Sequence, residues 1–129
     1  VPLTQRSGAT AVPVNQPLQR FKAEFFKALA HPARITILEL LRSGEMTVSE
    51  LQERLAIDPS SVSQQLAILR ARNIVDGRRT GTSVYYTVRD PALFRLLDVA
   101  REIFNNHLVD MQEMAVAQAR SDEDAGYRA

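Results

Sequence analysis

Apolar residues recur at helical spacing in five blocks of this chain, and at alternate positions in one. Pro17 opens the first block, where Leu18, Phe21, Phe25 and Leu29 share a stripe with Phe26 beside it. Two adjacent phenylalanines make this apolar face wider than one core contact needs, so the helix is expected to pack on two sides. The His31-Pro32 pair ends that helix, because a residue before proline avoids the α region. Ile35, Leu38 and Leu41 then carry a second helix, thickened by Ile37 and Leu40, with Arg42 in its last turn and Gly44 placed to stop it. His31 reads as a turn residue, and Arg34 as a structural side chain paired with a carboxylate. Thr47-Val48-Ser49-Glu50 is a capping box that starts a short third helix with Val48, Leu51 and Leu55 inward. Asp58 and Pro59 supply a cap and a first helical residue for the fourth, whose buried stripe is Val62, Leu66 and Leu69, with Ile68 beside it. Asn73 can take the left-handed conformation that closes it.

The pattern then changes period. Val84, Tyr86 and Val88 alternate with Tyr85 and Thr87, which is the signature of a half-buried strand. Gly81 marks the turn of a hairpin whose other strand runs from Ile74 to Thr80. Asp90-Pro91 opens the last helix, on which Leu93, Leu97, Ala100, Phe104, His107, Met111 and Met114 step by alternating fours and threes. The fold expected is mainly α with a β-hairpin wing: a winged helix-turn-helix of five helices and two strands, assembled as a homodimer. Its domain spans residues 17–118. Residues 1–16 and 119–129 read as a disordered N-terminal tail and a disordered acidic C-terminal tail.

The fourth helix carries the unusual surface. Outside its apolar stripe, the first turn and a half presents Ser60, Ser61, Ser63, Gln64 and Gln65, with no Glu or Lys among them. A solvated helix face would ordinarily carry Glu and Lys. Short uncharged donors and acceptors suit a helix that enters a DNA major groove end-on, because glutamine bridges base edges and serine reaches bases or phosphates. Only Ile57 and Asp58 separate this helix from the third, the tight junction of a helix-turn-helix with the second helix as reader. Arg78 and Arg79 lie near the hairpin tip with Thr80, Thr82 and Ser83, as a wing that grips the DNA backbone or enters a minor groove.

Composition sharpens this picture in three places. The net charge of +1 over 129 residues hides an uneven distribution. From Pro59 to Arg89 stand Arg70, Arg72, Arg78, Arg79 and Arg89 against Asp76 alone, whereas acids outnumber bases beyond Arg101, so phosphate is the expected partner of the middle of the chain. Cysteine is absent, which excludes disulfides, thiolate metal sites and thiol redox chemistry. No apolar run is long enough to cross a membrane and no signal peptide is evident, so a cytoplasmic location is expected. The long seam of the last helix is too apolar for so small a domain to cover. Phe21, Phe25, Leu97, Ala100, Phe104, His107 and Met111 are therefore the expected homodimer contacts.

Taken together, F-K-A-L-A-H-P-A-R-I-T-I-L at the first helix junction, S-S-V-S-Q-Q-L-A-I-L-R in the fourth helix and R-R-T-G-T-S-V-Y-Y-T-V in the hairpin resemble the ArsR/SmtB family of bacterial winged-helix repressors, over roughly Leu18 to Met114. The resemblance implies a dimer that binds an imperfect inverted repeat and blocks transcription until a metal or another signal releases it. It places DNA contacts at Ser60, Ser61, Ser63, Gln64, Gln65, Arg78, Arg79 and Thr82. The chain departs from the family where metals bind. Thr47-Val48-Ser49 stands where many members carry Cys-Val-Cys, and hydroxyls are poor ligands for soft metals. In a second family site Asp90 is present, but Ala92 replaces a histidine. His107 and Asp110 keep the other half, three apart on one helical face, and are the candidate ligands for nickel or zinc. The competing reading of His107 is a hydrogen-bonded interface histidine.

An enzyme is not expected: the chain has no glycine-rich phosphate loop and no nucleophile beside a base in a recognisable motif. The alternative to a DNA-binding repressor is a winged-helix interaction module whose last helix binds a partner protein without reading DNA.

Overall fold

The computed structural model describes residues 10–128. The first nine residues of the expected N-terminal tail lie outside that range, and residues 10–16 are exposed and form neither helix nor strand. Helix α1 (Pro17–Leu29) ends on Ala30, and α2 (Pro32–Leu40) begins immediately after His31. His31 is more than a turn residue, because its Nδ1 accepts the Ala33 N–H at 3.1 Å and caps α2. A 3-10 turn, Leu41–Ser43, carries the chain to Gly44, whose φ of 133° no other residue type adopts cheaply.

Strand β1 (Met46–Thr47) leads directly into α3 (Val48–Arg54). The Thr47 hydroxyl accepts the Glu50 N–H at 3.1 Å and donates to the Glu50 carboxylate, so the capping box forms. Helix α4 (Pro59–Ala71) follows. The Asp58 carbonyl accepts the Ser61 and Val62 N–H groups, but its side chain makes no capping bond, contrary to the expectation for Asp58. The far end closes as a Schellman motif. Asn73 stands at φ 58°, its N–H reaches the Arg70 carbonyl, and the Ile74 N–H reaches the Leu69 carbonyl.

Strands β2 (Val75–Thr80) and β3 (Ser83–Val88) pair from Val75–Val88 to Thr80–Ser83 across the two-residue turn Gly81-Thr82. Gly81 has φ 62°, the left-handed first position of a type II′ turn. The sheet has a third strand that the two-strand expectation lacks. β1 pairs antiparallel with β3, Met46 opposite Tyr86 and Thr47 opposite Tyr85, giving the order β1-β3-β2. Two residues carry no readable alternation, so β1 exists because β3 offers it an edge. Gly77 opposes Tyr86, and a Cβ there would stand 3.2 Å from the tyrosine ring and 3.3 Å from Val84. Glycine lets the ring lie against the strand.

The core joins α2, α3, α4 and the start of the hairpin. Ile37, Leu38, Leu51, Val62, Leu66, Leu69 and Val75 are fully buried, with Ala28, Leu29, Leu41 and Ile74 around them. Each such aliphatic side chain contributes about 1.5–3 kcal/mol on burial. Helix α4 packs on α2, α3 and β2, so its apolar stripe fixes which face remains outward.

The chain from Asp90 forms a separate compact unit consisting of one helix, α5 (Ala92–Arg128). Asp90 caps it, with Oδ1 accepting the Ala92 N–H at 2.9 Å. The disordered acidic tail expected over 119–129 is corrected here, since α5 continues to Arg128. Adding residues to an existing helix costs no new nucleation, and no proline interrupts the run. Gln118 also donates to Asp122 one turn on, at 3.0 Å.

Candidate nucleic-acid interface

The N-terminal half of α4 displays the expected polar set unequally. Val62, Leu66 and Leu69 face the core, which leaves Ser60, Ser63 and Gln64 exposed and Ser61 and Gln65 half-buried at the margins of that stripe. The exposed trio carries hydroxyl and amide groups with no charge, as a surface that reads hydrogen-bond patterns requires. Gln65 is differently placed. Its Oε1 accepts from Arg34 Nη1 at 2.7 Å. Arg34 also donates through Nε to the Ala28 carbonyl at 2.5 Å and through Nη2 to the Lys27 carbonyl at 3.4 Å. The expected carboxylate partner of Arg34 is thus replaced by two backbone carbonyls and an amide.

The wing arginines also differ. Arg78 Nη2 lies 2.9 Å from both carboxylate oxygens of Glu45, and Nη1 donates to the Thr80 hydroxyl at 2.6 Å. Its guanidinium stands 5.1 Å over the Tyr85 ring. Arg79 is exposed beside the turn and makes no ion pair among the described residues, and Thr82 is exposed in the turn itself. Glu45 was not recognisable in sequence as part of the wing, because only the strand pairing brings its loop to the hairpin.

The expected dimer contacts fall on two surfaces. On α1, Phe21 is 65% exposed, and Phe25 is half-buried with its ring edge-on to Phe26 at 5.5 Å. On α5, Leu97 and Ala100 are half-buried, while Phe104 (64%), His107 and Met111 (52%) are exposed. Ile103, Leu108 and Met114 extend this apolar surface. His107 and Asp110 are both exposed on α5, and no group of three His, Asp or Glu side chains that could hold a metal ion occurs among the described residues. A metal at His107 and Asp110 would need donors from elsewhere.

Comparison with known proteins bears on this geometry. Residues 31–76, from the α2 cap through α4 into the wing, match the family described as bacterial regulatory protein, arsR family. An HTH-type transcriptional regulator of Mycobacterium tuberculosis, Rv0081, is 44% identical over 97 residues, covering 74% of this chain and 85% of the relative. Its crystal structure matches with a TM-score of 0.69 over 74% of this chain and 97% of that one. A biofilm growth-associated repressor of Agrobacterium fabrum is 39% identical over 82 residues, covering 64% of this chain and 70% of the relative. The solution structure of a homodimeric winged helix-turn-helix DNA-binding domain from Mycobacterium bovis is 29% identical, with a TM-score of 0.67 over 78% of this chain and 93% of that one.

Proposed function

The chain belongs to the arsR family of bacterial regulatory proteins, and from that premise we propose that it acts as a homodimeric repressor whose two α4 helices read an inverted-repeat operator. It is a DNA-binding transcriptional regulator and not an enzyme. The observation that carries the proposed mode of reading is the exposed, uncharged set Ser60, Ser63 and Gln64, held outward by a stripe of side chains with almost no exposure. In this reading each α4 enters a major groove, about 34 Å from its mate along the duplex. Gln64 bridges a base edge, the serines reach bases or phosphates, and Arg79 and Thr82 at the wing tip hold the backbone.

Dimerisation supplies the two-fold symmetry that an inverted repeat requires. The apolar faces around Phe21 and Phe25 on α1 and around Phe104 and Met111 on α5 are the surfaces it would cover. The homodimeric Mycobacterium bovis domain and the Agrobacterium fabrum repressor support this assembly and this direction of control. A repressor works where the chromosome is, so we place it in the cytoplasm; no helix among the described residues is long and apolar enough to cross a membrane.

Two substitutions test the assignment by fluorescence anisotropy. Gln64→Ala relaxes discrimination by roughly 1–3 kcal/mol at one base pair of the operator. Arg79→Ala weakens binding to every duplex and makes the salt dependence shallower by about one unit. Equal losses on specific and random duplexes for Gln64→Ala would remove it from the reading set.

A further inference from the structure

Gln65 stands beside Gln64 in sequence and shares its chemistry, yet its amide oxygen is already committed. Arg34, in the first turn of α2, donates to it at 2.7 Å while the rest of the guanidinium bonds the Ala28 and Lys27 carbonyls at the end of α1. One planar fork of donors therefore joins the last turn of α1 to the reading helix. Between α1 and α4 lies a cleft of about 230 Å³, lined by Glu24, Lys27, Ala28, Arg34, Ile68 and Arg72. Directional polar bonds span this gap, in addition to the apolar packing that holds Ala28, Leu29 and the α4 stripe. A second tie, Arg72 to Glu24 at 2.9 Å, spans it at the other end of α4, but both side chains are close to half exposed and the pair is weakly held.

We propose that Gln65 is a positioning residue and not a base contact: Arg34, acting through it, fixes the rotation of α4 about its own axis and so aims Ser60, Ser63 and Gln64. The proposal rests on the DNA-reading role of α4 given above. The buried stripe of Val62, Leu66 and Leu69 fixes which face of α4 is outward. At the margin of that stripe the 2.7 Å charge-assisted bond adds a directional restraint that packing alone does not supply. Successive residues stand about 100° apart around a helix, so fixing Gln65 fixes Gln64. Reading a base edge needs placement to within about 0.5 Å, which makes rotation a determinant of specificity.

The test uses the full chain and two duplexes, one from upstream of its own gene and one random, with anisotropy giving the ratio of affinities. Gln65→Glu keeps an acceptor for Arg34 but removes the amide donor that a base or phosphate contact would use. Gln65→Leu removes the acceptor on α4, and Arg34→Lys replaces the planar fork with an ammonium that cannot reproduce its geometry across Gln65 and the two carbonyls. The expected result is that Gln65→Glu keeps the specific-to-random ratio within about threefold of the wild type, any added repulsion falling on both duplexes alike. Gln65→Leu and Arg34→Lys each lower the ratio about tenfold or more, and the double variant loses no more than the worse single one. Thermal midpoints and light scattering confirm that the variants remain folded and keep the wild-type mass. Collapse of the ratio in Gln65→Glu, or no change in Gln65→Leu, would overturn the proposal. A wild-type protein that prefers neither duplex would overturn the DNA-reading role first, and the proposal with it.

Discussion

Arg78 and Arg79 are adjacent and chemically identical, but only one is free to meet DNA without breaking a bond. Arg78 is held by Glu45, Thr80 and the Tyr85 ring, whereas Arg79 sits exposed with no ion pair among the described residues. The Arg78–Glu45 pair is itself 58% and 42% exposed at its side chains, so its contribution to stability is small. In the proposed DNA-bound state the pair would set a carboxylate where a phosphate approaches Arg78. Glu45→Gln should raise affinity for random duplex and steepen the plot of log K against log salt by about 0.9, the value of one added phosphate contact. An unchanged slope would show that Arg78 stays off the DNA backbone. At this scale Thr47, Asp90, Asn73 and Gly81 were legible, because they act on neighbours a few residues away, whereas the Asp58 side chain makes no cap and His31 makes one that its place before proline did not announce. The partners of Arg34 and Arg78 were not legible, because Gln65 and Glu45 stand 31 and 33 positions off and only the folded chain brings them close.

Among the elements, helices announced themselves by period and the hairpin by alternation, and α4 buried the stripe its spacing demanded. Two features escaped. β1 is a strand only through its pairing with β3, and the end of α5 is helical despite a composition that reads as a tail. In both cases a neighbouring element decided the structure, by lending an edge or a preformed helical turn. Helix α5 also carries the clearest prediction at this level. Phe104 is 64% exposed in the single chain, in the middle of an apolar seam that continues through Leu108 and Met111. A charge placed there would be buried unpaired in a dimer and solvated in a monomer. Phe104→Glu should therefore shift the mass by light scattering from dimer to monomer and lower operator affinity at least tenfold. Retention of the dimer would place the interface elsewhere.

At the scale of the whole molecule, the division of labour follows from where charge and apolar surface are left. Arginines concentrate around α4 and the wing, acids toward the end of α5, and the net charge of +1 conceals both. The part of the chain that matches the arsR family, residues 31–76, holds the helix-turn-helix, and the homodimeric Mycobacterium bovis domain shows such a fold working in pairs. The proposed function requires that this chain read a specific duplex as a dimer. It is tested most directly by fluorescence anisotropy on the duplex upstream of its own gene, beside a random duplex of equal length, at two salt concentrations and in the presence of chelator. Saturation is expected at one dimer per site, with a specific affinity at least about a thousandfold above the random one and steep loss of both as salt rises. Equal affinity for the two duplexes, or no binding to either at low salt, would contradict it and point to a module that uses α5 to hold a partner protein instead.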